Sequence, residues 1–309
     1  MPEKHSTITP DILRRWERYM SKINISPELY KSSVRIIKDE SGTSDYTFGA
    51  VLNGYRFQRF NSSNEKDECV LCDAVISVKT VWERNLFPEY FLPGFVVVPN
   101  NFPLTRGASM AVANSVRDKE RGMYKTDNIN VGRLTHEISN LLNFSDVSGL
   151  QIFHNSEGFG ASIPRHEHWH LTDFGNLYDI AGNTYGFDAA DKIKTSKGVM
   201  KMPYFPFSHL IFDRNDPEKL VYFLNNLKKI GGDFEKRHTP HTISQGKEGL
   251  LVTVSKNYVE KESIWSGDVA GHIFFKSREK FEEANFRTCI SRLSETLFNR
   301  NELNLESLL

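Results

Sequence analysis

Three of the ten histidines in this 309-residue chain occupy alternate positions in IPRHEHWHLTDFG (163–175): His166, His168 and His170. A strand alternates its faces with period two, so such a segment aims the three imidazoles one way and Glu167, Trp169 and Leu171 the other. The three rings then spread over about 13 Å of strand, whereas the ligands of a tetrahedral metal crowd within a few ångströms of the ion. One metal held by all three is disfavoured. A central imidazole acting as nucleophile, with its neighbours steering substrate and protons, fits the spacing better. The plain alternative is a set of solvated histidines following an ordinary turn.

The stretch before the strand, HNSEGFGASIP, favours the chemical reading. Gly158, Gly160, Ala161 and Ser162 form a small-residue turn whose backbone N–H groups can approach an anion. Asn155 and Ser162 add side-chain hydrogen-bonding groups. An anion site beside a nucleophilic imidazole implies phosphoryl chemistry.

GASIPRHEHWH, with its Gly-x-Ser turn and spaced histidines, resembles the histidine-triad (HIT-like) superfamily, whose motif is H-x-H-x-H or H-x-H-x-Q. It is most similar to the large branch of galactose-1-phosphate uridylyltransferases, dinucleoside-tetraphosphate phosphorylases and GDP-hexose phosphorylases. YTFGAVLNGYRFQRF (46–60), FPLTRGAS and SGDVAGHIFFKSREKFEEA (266–284) resemble the GDP-hexose phosphorylases more loosely. The resemblance implies that His168 attacks the α-phosphorus and carries a nucleoside monophosphate as a phosphoramidate. It implies that His166 orients His168, and that Asn155, Ser162 and the backbone at Gly160 and Ala161 hold phosphate oxygens. The donor would be a nucleotide sugar, GDP-hexose by preference, or another nucleotide. The acceptor would be inorganic phosphate or a sugar phosphate, and the chemistry would need no cofactor.

His170 departs from the transferases and phosphorylases, which carry Gln at the third position. An imidazole can alternate between proton donor and acceptor as Gln cannot, so hydrolysis of nucleotide sugars or dinucleoside polyphosphates stays open. A non-catalytic nucleotide-binding module is the remaining alternative. Arg106 stands beside Gly107-Ala108-Ser109, where many relatives have Gly-His-x; it is a candidate phosphate contact or a solvated surface group. Cys69 and Cys72 form a CxxC pair. That pair is either half of a structural zinc site, which relatives complete with the Gly-His histidine and the first triad histidine, or a reduced pair of buried thiols. With Ala108 in place of the Gly-His histidine one ligand is missing, and His166, His154 or His136 would have to supply the rest. His272 in AGHIFF reads as core or as a nucleotide contact, and His238 and His241 in RHTPHTIS as cleft or as plain loop.

Positioning these groups requires strands. GLQIFHN (149–155) and HEHWHLTDF read as neighbouring antiparallel strands, and GFVVVPN (94–100), GLLVTVS and GHIFFKS as further buried strands. Residues 33–60 read as a meander at a sheet edge. Helices are expected at the N-terminus, with Ile12, Trp16, Tyr19 and Ile23 as its stripe, in VGRLTHEISNLLNF, in PEKLVYFLNNLKKIGG, and from near Ser277 with Phe286, Ile290, Leu293 and Leu297 on one side. The expected fold is α+β, a HIT-like antiparallel sheet with flanking helices and two similar halves in one chain. The expected division is a catalytic half with the N-terminal helix over 1–175, a connector or flap over 176–202, and an α+β half over 203–309 packed on the same sheet.

Lys plus Arg equal Asp plus Glu at 39 each, so no net field favours nucleic acid. No run approaches the roughly 20 apolar residues of a membrane span, and none resembles a signal peptide. The chain is expected to be cytoplasmic. A duplicated single chain and a homodimer would show the same elements, so the oligomeric state stays open.

Overall fold

The short apolar runs become strands and the longer periodic ones helices, as a computed structural model shows for residues 9–22, 33–53, 95–100, 105, 108–113, 131–156, 159, 168–173, 186–227, 239–257 and 266–309. The strands are β1 Ser33–Ile37, β2 Phe48–Leu52, β3 Phe95–Pro99, β4 Ser109–Ala113, β5 Gln151–Asn155 and β6 His168–Thr172 in the first part of the chain. They continue with β7 Ile193–Lys194, β8 Met200–Lys201, β9 His209–Phe212, β10 His241–Gln245, β11 Leu250–Val254 and β12 His272–Phe275. The helices are α1 Pro10–Lys22, α2 Val131–Ser148, α3 Pro217–Asn226, α4 Ser266–Val269, α5 Arg278–Glu283 and α6 Phe286–Ser294.

Among the described residues, nine strands form one sheet in the order β3-β4-β6-β5-β10-β11-β9-β8-β7. Every pairing in it is antiparallel. Outward from the seam between β5 and β10, the order is β5-β6-β4-β3 on one side and β10-β11-β9-β8 on the other. Each side is the same unit in chain order, two strands, a helix (α2 or α3) and two strands. The two halves are thus related by an approximate two-fold at the seam, and α2 and α3 lie against each other across it. Of the 176–202 segment, residues 186–202 are described, and within them β7 and β8 form a hairpin on the edge of this sheet. Residues 176–185 lie outside the described residues.

The sheet buries both faces. Alternate residues such as Ile152, Trp169, Leu171, Ile243 and Val252 pack under α1, α2 and α3. Asp216 caps α3, accepting from the Lys219 N–H, and Pro217 opens it, a pairing that fixes where the helix starts. On α1 the buried stripe is Ile12, Trp16 and Met20, with Tyr19 partly buried against the same core and Ile23 outside the described residues. The Trp16 indole N–H donates to the Ala108 carbonyl at 2.9 Å, anchoring α1 next to β4.

The opposite face is covered by a second, three-stranded sheet, β1-β2-β12, with α4, α5 and α6. The expected edge meander is therefore a separate layer: β1 and β2 pair antiparallel, and β12, from the far end of the chain, adds to β2 in parallel. The single helix expected from Ser277 is two. Ala284 is extended, and Asn285 starts α6 with a reciprocal capping box to Thr288, which breaks the helix before the apolar stripe begins. Gly271 and Gly186 join this layer to the segment before β7. Both have positive φ, and a Cβ on Gly271 would lie 2.5 Å from the Gly186 Cα. No helix among the described residues is long and apolar enough to cross a membrane.

Candidate active site

Alternation along β6 divides its side chains as the sequence predicts. Trp169 and Leu171 belong to the helix-covered core, so His168 and His170 face the layer formed by the small sheet. Both imidazoles are buried, with 4% and 3% of their surface exposed, and their rings meet edge to face with centroids 5.2 Å apart. The neighbouring strand β5 runs antiparallel, with Phe153 opposite His170. The same register continued by two residues sets Asn155 opposite His168 on the same face. His166 lies outside the described residues.

Asn155 is pinned from the opposite layer. Its side-chain oxygen accepts the backbone N–H of Ser266 at 2.6 Å. With that oxygen engaged, the amide offers its NH2 hydrogens, the donors a phosphate needs. From β10, the Ser244 hydroxyl donates to the Ser266 carbonyl at 2.8 Å. The start of α4 is thereby tied to both seam strands beside the histidines. His272 at the start of β12 presents its ring edge to face with Phe153 at 6.2 Å. Burial pushes the His272 imidazole down to about 3, so it is neutral near pH 7. After β5, the Phe159 N–H donates to the Ser156 carbonyl at 3.0 Å.

The remaining candidates divide by face or fall elsewhere. Gly160, Ala161, Ser162, Arg106, Cys69, Cys72 and His238 lie outside the described residues. His241 does not line the histidine face: it is paired with Val254 and lies under the helices, its Nδ1 2.9 Å from the Thr239 carbonyl. Burial lowers it to about 4. His154 shares that face, stacked on Trp169 at 4.7 Å and 6.2 Å from the His241 ring. Burial first, then the neighbouring His241 and His168, hold His154 well below the ordinary imidazole value. His136 is exposed on α2. Among the described residues no three His, Cys, Asp or Glu side chains converge as a metal site. Burial pushes the thiol of Cys289 up to about 12, which makes it inert as a nucleophile near neutral pH.

Sequence reasoning did not single out Ser244 or Ser266. Neither sits in a motif, and their place beside the histidines arises only when the seam strands and α4 come together.

A yeast Ap4A phosphorylase, Apa2, superposes on the chain with a TM-score of 0.60 at 12% identity, covering 97% of this chain and 98% of that one. The fold is histidine-triad-like. The same phosphorylase in complex with AMP aligns at TM-score 0.60 and 13% identity over 95% of this chain and 98% of that one. In complex with Ap4A it aligns at 0.60 and 12% over 95% of this chain and 99% of that one. No protein-family model matches the sequence, and no curated protein sequence matches it.

Proposed function

We propose that this protein is a nucleotidyltransferase of the phosphorylase type, cleaving a nucleotide at its α-phosphorus through a nucleotidyl-His168 intermediate. The observation that carries the reading is the pair of His168 and His170 on one buried face of β6, beside the pinned amide of Asn155, within a HIT-like fold. In the first step a ring nitrogen of neutral His168 attacks the α-phosphorus. The N–P bond forms as the bond from that phosphorus to the bridging oxygen breaks, and the departing phosphate takes the electron pair. In the second step a phosphate oxygen attacks the same phosphorus, the N–P bond breaks, and His168 is restored. Imidazole suits both steps because it is a good nucleophile and a good leaving group near neutral pH. His166 orients the nucleophile, while Asn155, Ser162, the backbone of Gly160 and Ala161, and Arg106 hold the phosphate oxygens as negative charge builds up.

The donor we favour is a GDP-hexose, on the resemblance of 46–60 and 266–284 to the GDP-hexose phosphorylases; the fold neighbour acts on Ap4A instead. No step requires a cofactor. A zinc at Cys69 and Cys72 would be structural. The working division stays 1–175, 176–202 and 203–309, in a cytoplasmic protein. Hydrolysis is the second reading, favoured specifically by His170 in the third triad position.

The test incubates the protein separately with GDP-hexose, ADP-glucose, UDP-glucose and Ap4A, quenches in alkali, where phosphoramidates survive, and reads the intact mass. Addition of one nucleoside monophosphate supports the reading, and release that depends on added phosphate identifies the phosphorylase. Nucleotide binding with no adduct from any donor replaces it with a binding module.

A further inference from the structure

The hydroxyl of Ser266 is fully enclosed and has no hydrogen-bond partner among the described residues. A buried hydroxyl without a partner is unfavourable, and such a group asks for an explanation. The same residue uses both of its backbone groups. Its N–H goes to Asn155 on β5 and its carbonyl accepts from Ser244 on β10. Those strands form the seam, and Asn155 lies opposite His168 in the continued register. The residue is thus fixed in space by the histidine face while its side chain is left unused. Nor is α4 loosely placed. Asp268, two residues on and fully buried, is paired with Arg292 at 3.1 Å.

We propose that Ser266, contributed by the C-terminal part of the chain, is a phosphate-binding residue of this site, its hydroxyl donating to a phosphate oxygen of a bound nucleoside diphosphate group. This rests on the proposed function for where the phosphates lie. The bond would supply in the complex the partner that the hydroxyl lacks in the protein alone. It also gives the far half of the chain a direct hold on the substrate of a nucleophile carried by the near half.

Two variants separate hydroxyl from volume. Ser266→Ala removes the group, and Ser266→Cys fills the same space with a poor donor. Equilibrium binding of ADP, GDP, UDP and CDP to the full chain is measured by calorimetry, with thermal unfolding in parallel. We expect the diphosphate that binds the wild type best to bind both variants roughly tenfold or more weakly, the loss typical of a hydrogen bond to a charged group. We expect unfolding temperatures equal to or above that of the wild type, because no protein hydrogen bond of the side chain is lost. A residue needed only for structure would lower stability instead, and that result overturns the proposal. Unchanged binding in both variants, with His168→Ala still blocking adduct formation, overturns the role of Ser266 and leaves the proposed function standing. A wild type that binds none of the four diphosphates but forms the nucleotidyl adduct overturns the role of Ser266 alone, and one that neither binds them nor forms the adduct overturns both.

Discussion

The imidazoles of His168 and His170 stand edge to face, 5.2 Å apart at an interplanar angle of 75°, on the same buried face of β6. At that separation substitution at one ring alters the surroundings of the other, yet the two roles are distinct. His170 stands opposite the apolar ring of Phe153, and the same register continued sets Asn155 opposite His168.

That difference yields the first prediction. His168→Ala abolishes the nucleotidyl adduct and lowers turnover roughly 10³-fold or more, as loss of a nucleophile does, while cooperative unfolding persists. His170→Gln keeps the adduct but lowers its transfer to water roughly 10²-fold relative to phosphate, the size of a lost general acid–base contribution. Adduct mass and the ratio of the two products report both outcomes. Full turnover in His168→Ala would exclude the covalent scheme.

The two-fold relation at the seam yields the second. The strand corresponding to β6 in the other half is β11, and the side chains it sends toward the small sheet are Leu251 and Thr253 rather than histidines. Adduct formation should therefore plateau at one nucleotide per chain, read by intact mass at saturating donor. A doubly modified wild type that keeps one nucleotide in His168→Ala would place a second nucleophile elsewhere.

Part of this arrangement could be read from the sequence, because period-two and period-3.6 patterns report which residues share a face. The antiparallel pair β5 and β6, the helix α2 with its buried Ile138 and Leu141, and the placement of His168 with His170 all follow from local pattern. Local pattern is blind to what packs across layers. His241 resembles a cleft histidine in RHTPHTIS until its register with Val254 turns it under the helices. Ser266 carries no signal of its own, since its position depends on side chains 111 and 22 residues away. The break before Phe286 was available in principle, as Asn285 and Thr288 are a capping pair, but helix-forming residues stand on both sides of it, in REKFEE and in FRTCISRLS, and hide the boundary.

Buried neutral histidines make the protein acid-sensitive. Burial lowers His209 and His241 each to about 4. The ring of His209 is held neutral by two bonds: Nε2 accepts the Met202 N–H at 2.8 Å, which leaves Nδ1 as the donor to the Phe207 carbonyl. The unfolded chain takes up these protons near pH 6.5 and the folded one only near 4, so the unfolded state binds more protons between those values. Stability from this source is complete above pH 6.5 and is lost progressively as pH falls toward 4, by about 3 kcal/mol for each residue. Urea midpoints should be flat from pH 8 to 7 and fall steeply from 6.5 to 5. His209→Ala should be less stable at pH 7.5 and show a shallower acid slope. An unchanged slope would mean that His209 takes up its proton in the fold as readily as in the unfolded chain.

The ion pair of Asp268 with Arg292 supports the last prediction. Asp268 is fully buried on α4, and the Arg292 guanidinium on α6 reaches both its carboxylate, at 3.1 Å, and the Phe274 carbonyl, at 3.0 Å. Removing the cation takes from a buried carboxylate the guanidinium paired with it, a loss that typically costs about 3–5 kcal/mol. Arg292→Ala should therefore lose about that much in chemical denaturation. Since Asp268 lies two residues from Ser266 on the same short helix, the loosened α4 should also weaken nucleoside diphosphate binding. The double variant Asp268→Asn/Arg292→Ala removes the stranded charge along with its partner, so it should recover part of the stability. Recovery of stability without recovery of binding would indicate that the pair positions α4 for the substrate, and a double variant no more stable than Arg292→Ala would show that the stranded charge is not what destabilises the fold.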